Sequence, residues 1–139
     1  MIYTLKENEL LDVNEYNGLR TSVGWRAIKK ERAEKDLLHT WYSVTAVNDC
    51  GEAIGMGRLI SNGGYLVMLV DMIVKPEYQG FGIGRDIMNK IKAKVENEGS
   101  AADPVMFALI SAPGKEGFYK KFGLIHSEGS AMQCWSDER

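Results

Sequence analysis

The chain has 139 residues, enough for one domain that removes about two-thirds of its unfolded surface from water. Its 45% hydrophobic and 26% charged residues suit a globular protein, and a formal net charge of −2 argues against nucleic acid, which calls for a basic face. No apolar run reaches the roughly 20 residues of a membrane span, and Met1-Ile2-Tyr3-Thr4-Leu5-Lys6-Glu7 lacks the pattern of a signal peptide, so a cytoplasmic location with no membrane partner is expected.

Residues 2–6 have the composition of a short first strand. Asn14 fits as the N-cap of a helix with Tyr16, Leu19 and Val23 on one face, ended by Gly24. Residues 28–38 are charge-rich, with Glu31 and Lys35 four apart, and read as a second helix whose buried stripe is Ala33, Leu37 and Trp41. Residues 41–47 alternate as a strand, the turn cluster 48–51 follows, and 53–60 returns beside it. Asn62-Gly63-Gly64 makes a tight turn into an apolar, β-prone stretch, 66–74, closed by Lys75-Pro76. Ile83, Ile87, Ile91 and Val95 fall four apart and predict a helix over 83–98 that stops at Gly99. The apolar run 105–110 reads as a strand buried on both faces. Pro113 opens a short helix over 115–121 ended by Gly123, and two terminal strands near 124–127 and 131–135 complete the pattern. The order describes a mixed α/β (α+β) sheet with helices on both sides. No linker, repeat or low-complexity tract divides 1–139, so a single domain is expected.

The stretch Gln79-Gly80-Phe81-Gly82-Ile83-Gly84-Arg85 joins the 66–74 strand to the 83–98 helix. Strand, glycine turn and helix together present several backbone N–H groups at a helix N-terminus, where phosphates bind. Arg85 adds a fixed positive charge. A Walker loop needs a Gly-Lys-Ser/Thr ending, which is absent, and Arg85 stands where a dinucleotide fingerprint has its third glycine. What remains is Gln-x-x-Gly-x-Gly. A plain turn joining strand to helix is the bland alternative.

Asp71 lies in an otherwise apolar strand, where a carboxylate is costly unless it faces solvent, a cleft or a hydrogen-bonding partner. Arg58 admits either a surface salt bridge or an acidic group of a substrate. His39 and His126 are isolated. Cys50 and Cys134 make no zinc spacing and no disulfide framework, read as structural, and suit a reducing compartment; no metal is expected.

The Gln-x-x-Gly-x-Gly loop resembles the acetyl-CoA pyrophosphate loop of the GNAT N-acetyltransferase superfamily. The segment Phe118-Tyr119-Lys120-Lys121-Phe122-Gly123-Leu124 is similar to that family's Phe-Tyr-x-Lys-x-Gly-Phe, with Leu124 in place of the final aromatic. The element order matches as well, so the resemblance covers most of the chain, most specifically 69–85 and 118–124. It implies the GNAT acyl-CoA N-acyltransferase fold, a mixed, mostly antiparallel sheet of about seven strands with splayed central strands and about four helices. It implies acetyl-CoA as cosubstrate, bound by Gln79, Gly80, Phe81, Gly82, Ile83, Gly84 and Arg85. The backbone of Met72, Ile73 and Val74 would align the thioester. By the same resemblance Tyr119 is the acid that protonates the leaving sulfur, and a phenol of pKa about 10 can do so within hydrogen-bond reach. Asp71 would deprotonate or hold the amine, or instead keep the strand bulged.

The stretch Leu19 to Trp25 resembles a subgroup that includes relatives of arylalkylamine acetyltransferases, in which Trp25 would line the acceptor site or plug the helix junction. The expected reaction is acetyl transfer to a primary amine of a small molecule by direct attack. The acceptor is left open among an arylalkylamine, a polyamine, an aminosugar phosphate and a protein amine. A non-catalytic acyl-CoA binding module and a self-assembling domain are the rival readings, and a homodimer is compatible with the family.

Overall fold

Two carboxylates decide where the first helix begins. In a computed structural model of the chain, describing residues 1–9 and 11–137, α1 (Val13–Ser22) is capped by Asp12 and not by Asn14. Glu15 N–H donates to Asp12 Oδ1 at 2.8 Å while Asp12 N–H reaches Glu15 Oε1 at 3.4 Å, so one box satisfies two amides where Asn14 would satisfy one. Asn17 delays the second helix. Its side-chain amide takes both main-chain groups of Ile28, each at 2.8 Å, and α2 therefore runs Lys30–Leu38 instead of starting at 28.

The chain divides into the units Met1–Leu109 and Ile110–Arg139. The first holds a five-stranded sheet in the order β1 (Tyr3–Glu7), β2 (Tyr42–Asn48), β3 (Ala53–Ile60), β4 (Leu66–Val74), β5 (Met106–Ala108). Neighbours are antiparallel except β4 and β5, which run parallel. On one face, Tyr16 and Leu19 of α1 and Ala33 and Leu37 of α2 pack with Met56 and Ile73. On the other lies α3 (Ile83–Glu98), burying Ile83, Ile87, Met88, Ile91 and Val95. Burying such a side chain contributes about 1.5–3 kcal/mol. Gly55 and Gly57 let that helix come close. A Cβ at Gly55 would stand 3.1 Å from Ile73 O, and one at Gly57 3.2 Å from Ile87 Cγ2 and from Met72 Sδ.

β4 and β5 part. Their pairing covers Leu66, Val67 and Met68 against Met106, Phe107 and Ala108. Among the described residues, β4 then runs on to Val74 with no strand opposite that edge. This is the splay the resemblance implies.

Three expectations are corrected. Trp41 belongs to no helix stripe: α2 has ended, Trp41 N–H pairs with Leu59 O at 2.9 Å, and Lys94 Nζ caps its half-buried ring at 4.6 Å from the centroid. The run 105–110 is not a strand buried on both faces. β5 is three residues long at the sheet edge, and Met106 is 54% exposed. No strand follows Ala108 among the described residues, so the sheet has five strands where about seven were expected. Between Gly123 and the Ser127-Glu128-Gly129-Ser130 break stand only two large apolar side chains, Leu124 and Ile125, little to offset the entropy of ordering a strand. Ile125 and Met132 there are 86% and 89% exposed. The second unit contains α4 (Glu116–Lys120), which Pro113 precedes without entering, and Gly123 turns the chain at φ +86°.

Candidate functional site

The site begins where β4 ends. Lys75 N–H donates to Ile54 O at 3.0 Å and ties the strand's end to β3. A 3-10 turn, Pro76–Tyr78, follows, and Gln79 folds back so that its side-chain Nε2 donates to Val74 O at 2.9 Å. Gly80 and Gly82 then take φ of +88° and +85°, left-handed values that disfavour any side chain. Gly82 is the N-cap of α3, and the first helical bond is Asp86 N–H to Gly82 O at 3.1 Å. The amides of Ile83, Gly84 and Arg85 lie ahead of that bond and have no acceptor within the helix. Left-handed glycines alternating with ordinary residues make a main-chain concavity for an anion, and the 16-residue helix adds about half a positive charge at this end. Buried Ile83 pins the loop to the core, while Phe81 is exposed.

Arg85 folds back beside Gly82. Its Nη2 is 2.7 Å from where a Cβ on Gly82 would sit, and its Nε donates to Asp86 Oδ1 at 3.1 Å. The Tyr3 hydroxyl donates to the other oxygen of Asp86. That bond first, then Arg85, holds the Asp86 carboxyl below its usual range; the same bond, followed by burial, lifts the Tyr3 phenol. Asp86 thus anchors Arg85 to β1.

Asp71 sits in the middle of β4, 9% exposed, with φ +51°. Arg20 Nη1 donates to its Oδ1 at 2.6 Å; Tyr16 OH at 2.7 Å and Arg58 Nε and Nη2 at 2.9 and 2.8 Å donate to Oδ2. Burial, then the Asp71 carboxylate, pushes the Tyr16 phenol well above its ordinary range. Asp71 was expected either to take the amine's proton or to hold the strand; these surroundings suit holding. Trp25 is half-buried against the α1/α2 core, its N–H bonded to Arg20 O at 3.0 Å, and Arg20 Cζ lies 5.7 Å from its ring centroid. That is the environment of a plug at the helix junction.

In the second unit, Tyr119 is half-buried on α4 with the Phe118 ring edge-on at 5.2 Å. Burial raises its phenol and keeps it protonated. His126 is exposed, as are Cys50 and Cys134, which are free. Among the described residues no group of three or more His, Cys, Asp or Glu is placed to hold a metal ion, and no helix is long and apolar enough to cross a membrane.

What the sequence did not reveal is the partnership of Tyr16, Arg20 and Arg58 around Asp71. Two clues stood in it: an arginine four residues after Tyr16 on the buried stripe of α1, and Arg58 inside an otherwise apolar strand.

The acetyltransferase (GNAT) domain pattern matches residues 15–133, and the chain belongs to that family. It is 28% identical over 116 residues to serotonin N-acetyltransferase 2, chloroplastic, of rice, covering 81% of this chain but 56% of the rice protein. A protein of unknown function from methicillin-resistant Staphylococcus aureus, described as a probable acetyltransferase, superposes with a TM-score of 0.86 at 28% identity, covering 99% of this chain and 100% of that one. The fold alone is shared with the aminoglycoside N-acetyltransferase AAC(6')-Iy, solved with a CoA-based bisubstrate analogue: TM-score 0.71, 16% identity, 97% of this chain and 99% of that one.

Proposed function

We propose that this chain transfers the acetyl group of acetyl-CoA to a primary amine of a small molecule, by direct attack in a ternary complex. The observation that carries the reading is the pair of left-handed glycines opening α3 beside the unpaired edge of β4. Gln79, Gly80, Phe81, Gly82, Ile83, Gly84 and Arg85 hold the pyrophosphate through main-chain N–H groups and the guanidinium. Met72, Ile73 and Val74 align the thioester, and an N–H aimed at its carbonyl oxygen as charge develops is worth about 3–4 kcal/mol in comparable sites. Acetyl-CoA supplies an acyl group already activated for transfer. The amine nitrogen bonds to the acetyl carbon, the carbon–sulfur bond breaks, Tyr119 gives its proton to the sulfur, and the proton that the nitrogen then sheds passes through solvent and restores the phenol. Holding amine and thioester side by side supplies much of the acceleration.

The role of Tyr119 rests on its motif and on its buried phenol. The family match spans both units, and we read 1–139 as one domain in a reducing, cytoplasmic setting. The name of the rice relative and the stretch Leu19 to Trp25 support an arylalkylamine acceptor.

The test is calorimetry with acetyl-CoA followed by thiol release with a panel of arylalkylamines, polyamines, aminosugar phosphates and a peptide amine. Binding with acceptor-dependent release of free CoA is expected. Binding without release on any amine favours the acyl-CoA sensing module, a reading the engaged state of Asp71 supports. No binding at millimolar ligand overturns both.

A further inference from the structure

The bulge in β4 decides which main-chain groups reach the open edge. Before it, Arg58 faces Val70; after it, Met56 faces Ile73, so Asp71 and Met72 together oppose the single residue Gly57. Upstream, odd-numbered residues turn their main chain toward β5, and Tyr65 O accepts from Met106 N–H at 2.6 Å. Downstream, even-numbered ones face that edge: Val74 O accepts from the Gln79 side chain, and Lys75 N–H goes to β3. A one-residue shift exchanges the two edges of a strand. Without the bulge, the main chain of Met72 and Val74 would point at β3, away from the edge assigned to the thioester.

Asp71 makes the bulge by adopting a left-handed conformation inside a strand. What holds it there comes from three other elements. Tyr16 and Arg20 reach it from α1 and Arg58 from β3; Arg58 Nη1 also bonds Asp36 O and Thr40 Oγ1, both at 3.1 Å, where α2 ends. Asp36 is the remaining charged group facing the cluster, its Oδ2 3.3 Å from the Tyr16 hydroxyl. Arg20 Nε bonds Arg26 O at 2.9 Å and so ties the α1–α2 connection to the same point. A general base needs a lone pair that the amine can reach. Asp71 is buried, Oδ2 accepts three bonds and Oδ1 one, and three of the four come from guanidinium groups.

We infer that Arg20 and Arg58, acting through the Asp71 carboxylate, are positioning residues that lock the β4 bulge and so aim Met72 and Val74 at the thioester, and that Asp71 accepts no proton from the amine. This rests on the acetyl-transfer reading above.

The experiment measures steady-state transfer by the full chain to two amines of different pKa, for the wild type, Arg20→Gln, Asp71→Asn and the double variant. Each single variant is expected to lower kcat by about 100-fold, the cost of a misplacement near 1 Å. Acetyl-CoA affinity changes far less, because the glycine loop is untouched. The double variant is no worse than the poorer single one. The acid limb of kcat/KM follows the pKa of each amine in wild type and variants alike. A wild-type limb fixed in the carboxylate range for both amines, or its loss in Asp71→Asn, overturns the inference, as does wild-type kcat in Arg20→Gln. If Asp71→Asn does not fold, Arg20→Gln and the wild-type limb decide. A wild type that transfers nothing sinks the acetyl-transfer reading and this inference with it; an active wild type with an indifferent Arg20→Gln sinks this inference alone.

Discussion

Arg20 and Asp71, 51 positions apart in the chain, close a 2.6 Å ion pair between α1 and β4 with side chains only 11% and 6% exposed. Removing one partner of a buried pair costs about 3–5 kcal/mol, because the other charge stays behind unpaired. Asp71→Ala strands two guanidinium groups and keeps a Cβ on a left-handed backbone. Urea unfolding is expected to show a loss of that size. Asp71→Gly, which relieves the backbone, should recover about 1 kcal/mol of it. Equal losses in the two variants would show that the positive φ carries no strain of its own.

Gly80 and Gly82 differ in what surrounds them, and their variants should differ too. Both have positive φ, but nothing lies within 4 Å of a Cβ at Gly80, whereas one at Gly82 would meet Arg85 Nη2 at 2.7 Å. Gly80→Ala meets the left-handed backbone alone, about 1–2 kcal/mol in stability. Gly82→Val adds displacement of Arg85 and a branched side chain in the anion concavity, so calorimetry should find acetyl-CoA binding abolished there and only weakened in Gly80→Ala. Unchanged affinity in Gly82→Val would remove the loop from the binding site.

Much of this site is legible in the residue pattern alone. Glycines at 80, 82 and 84 between an apolar strand and a four-residue isoleucine repeat can fold few ways, and α3 and β4 appear at the expected residues, 83–98 and 66–74. Local pattern specifies local structure. The ring of Tyr16, Arg20 and Arg58 around Asp71 is tertiary: the chain carries 17 Lys and Arg, and spacing does not say which will be buried opposite one carboxylate. The terminal strands failed for a related reason. The short apolar stretches at 124–127 and 131–135 would make strands only if a sheet edge took them, and pairing is not written in the segment itself.

Tyr119 differs from a packing aromatic only through its hydroxyl. Burial raises its phenol, so at neutral pH it keeps the proton that the proposed acid role requires. Tyr119→Phe keeps the ring, its edge contact with Phe118 and the fold. Steady-state assays should show kcat reduced by roughly 10²-fold or more, with the dissociation constant for acetyl-CoA unchanged. A variant with wild-type turnover would return Tyr119 to a packing role.

Tyr16 gives the buried cluster a pH signature. Burial first, then the neighbouring Asp71 carboxylate, raises its phenol above 10 in the folded chain. A group whose folded pKa is raised contributes stability that is complete below the unfolded value, near 10, and lost as pH climbs toward the folded one. Across that alkaline window the unfolded chain sheds a proton that the folded chain keeps, a slope of about 1.4 kcal/mol per pH unit. Tyr42, raised by burial and then by its bond to Glu7, adds a similar limb. Tyr16→Phe should be less stable at pH 7 by about 1.5–3 kcal/mol, having lost a hydrogen bond to a charged group, yet lose less further stability above pH 10 than the wild type. Urea unfolding in a pH series from 7 to beyond 10 makes the comparison. Parallel curves would mean that the Tyr16 hydroxyl ionises as readily in the folded chain as in the unfolded one, which its contact with the Asp71 carboxylate opposes.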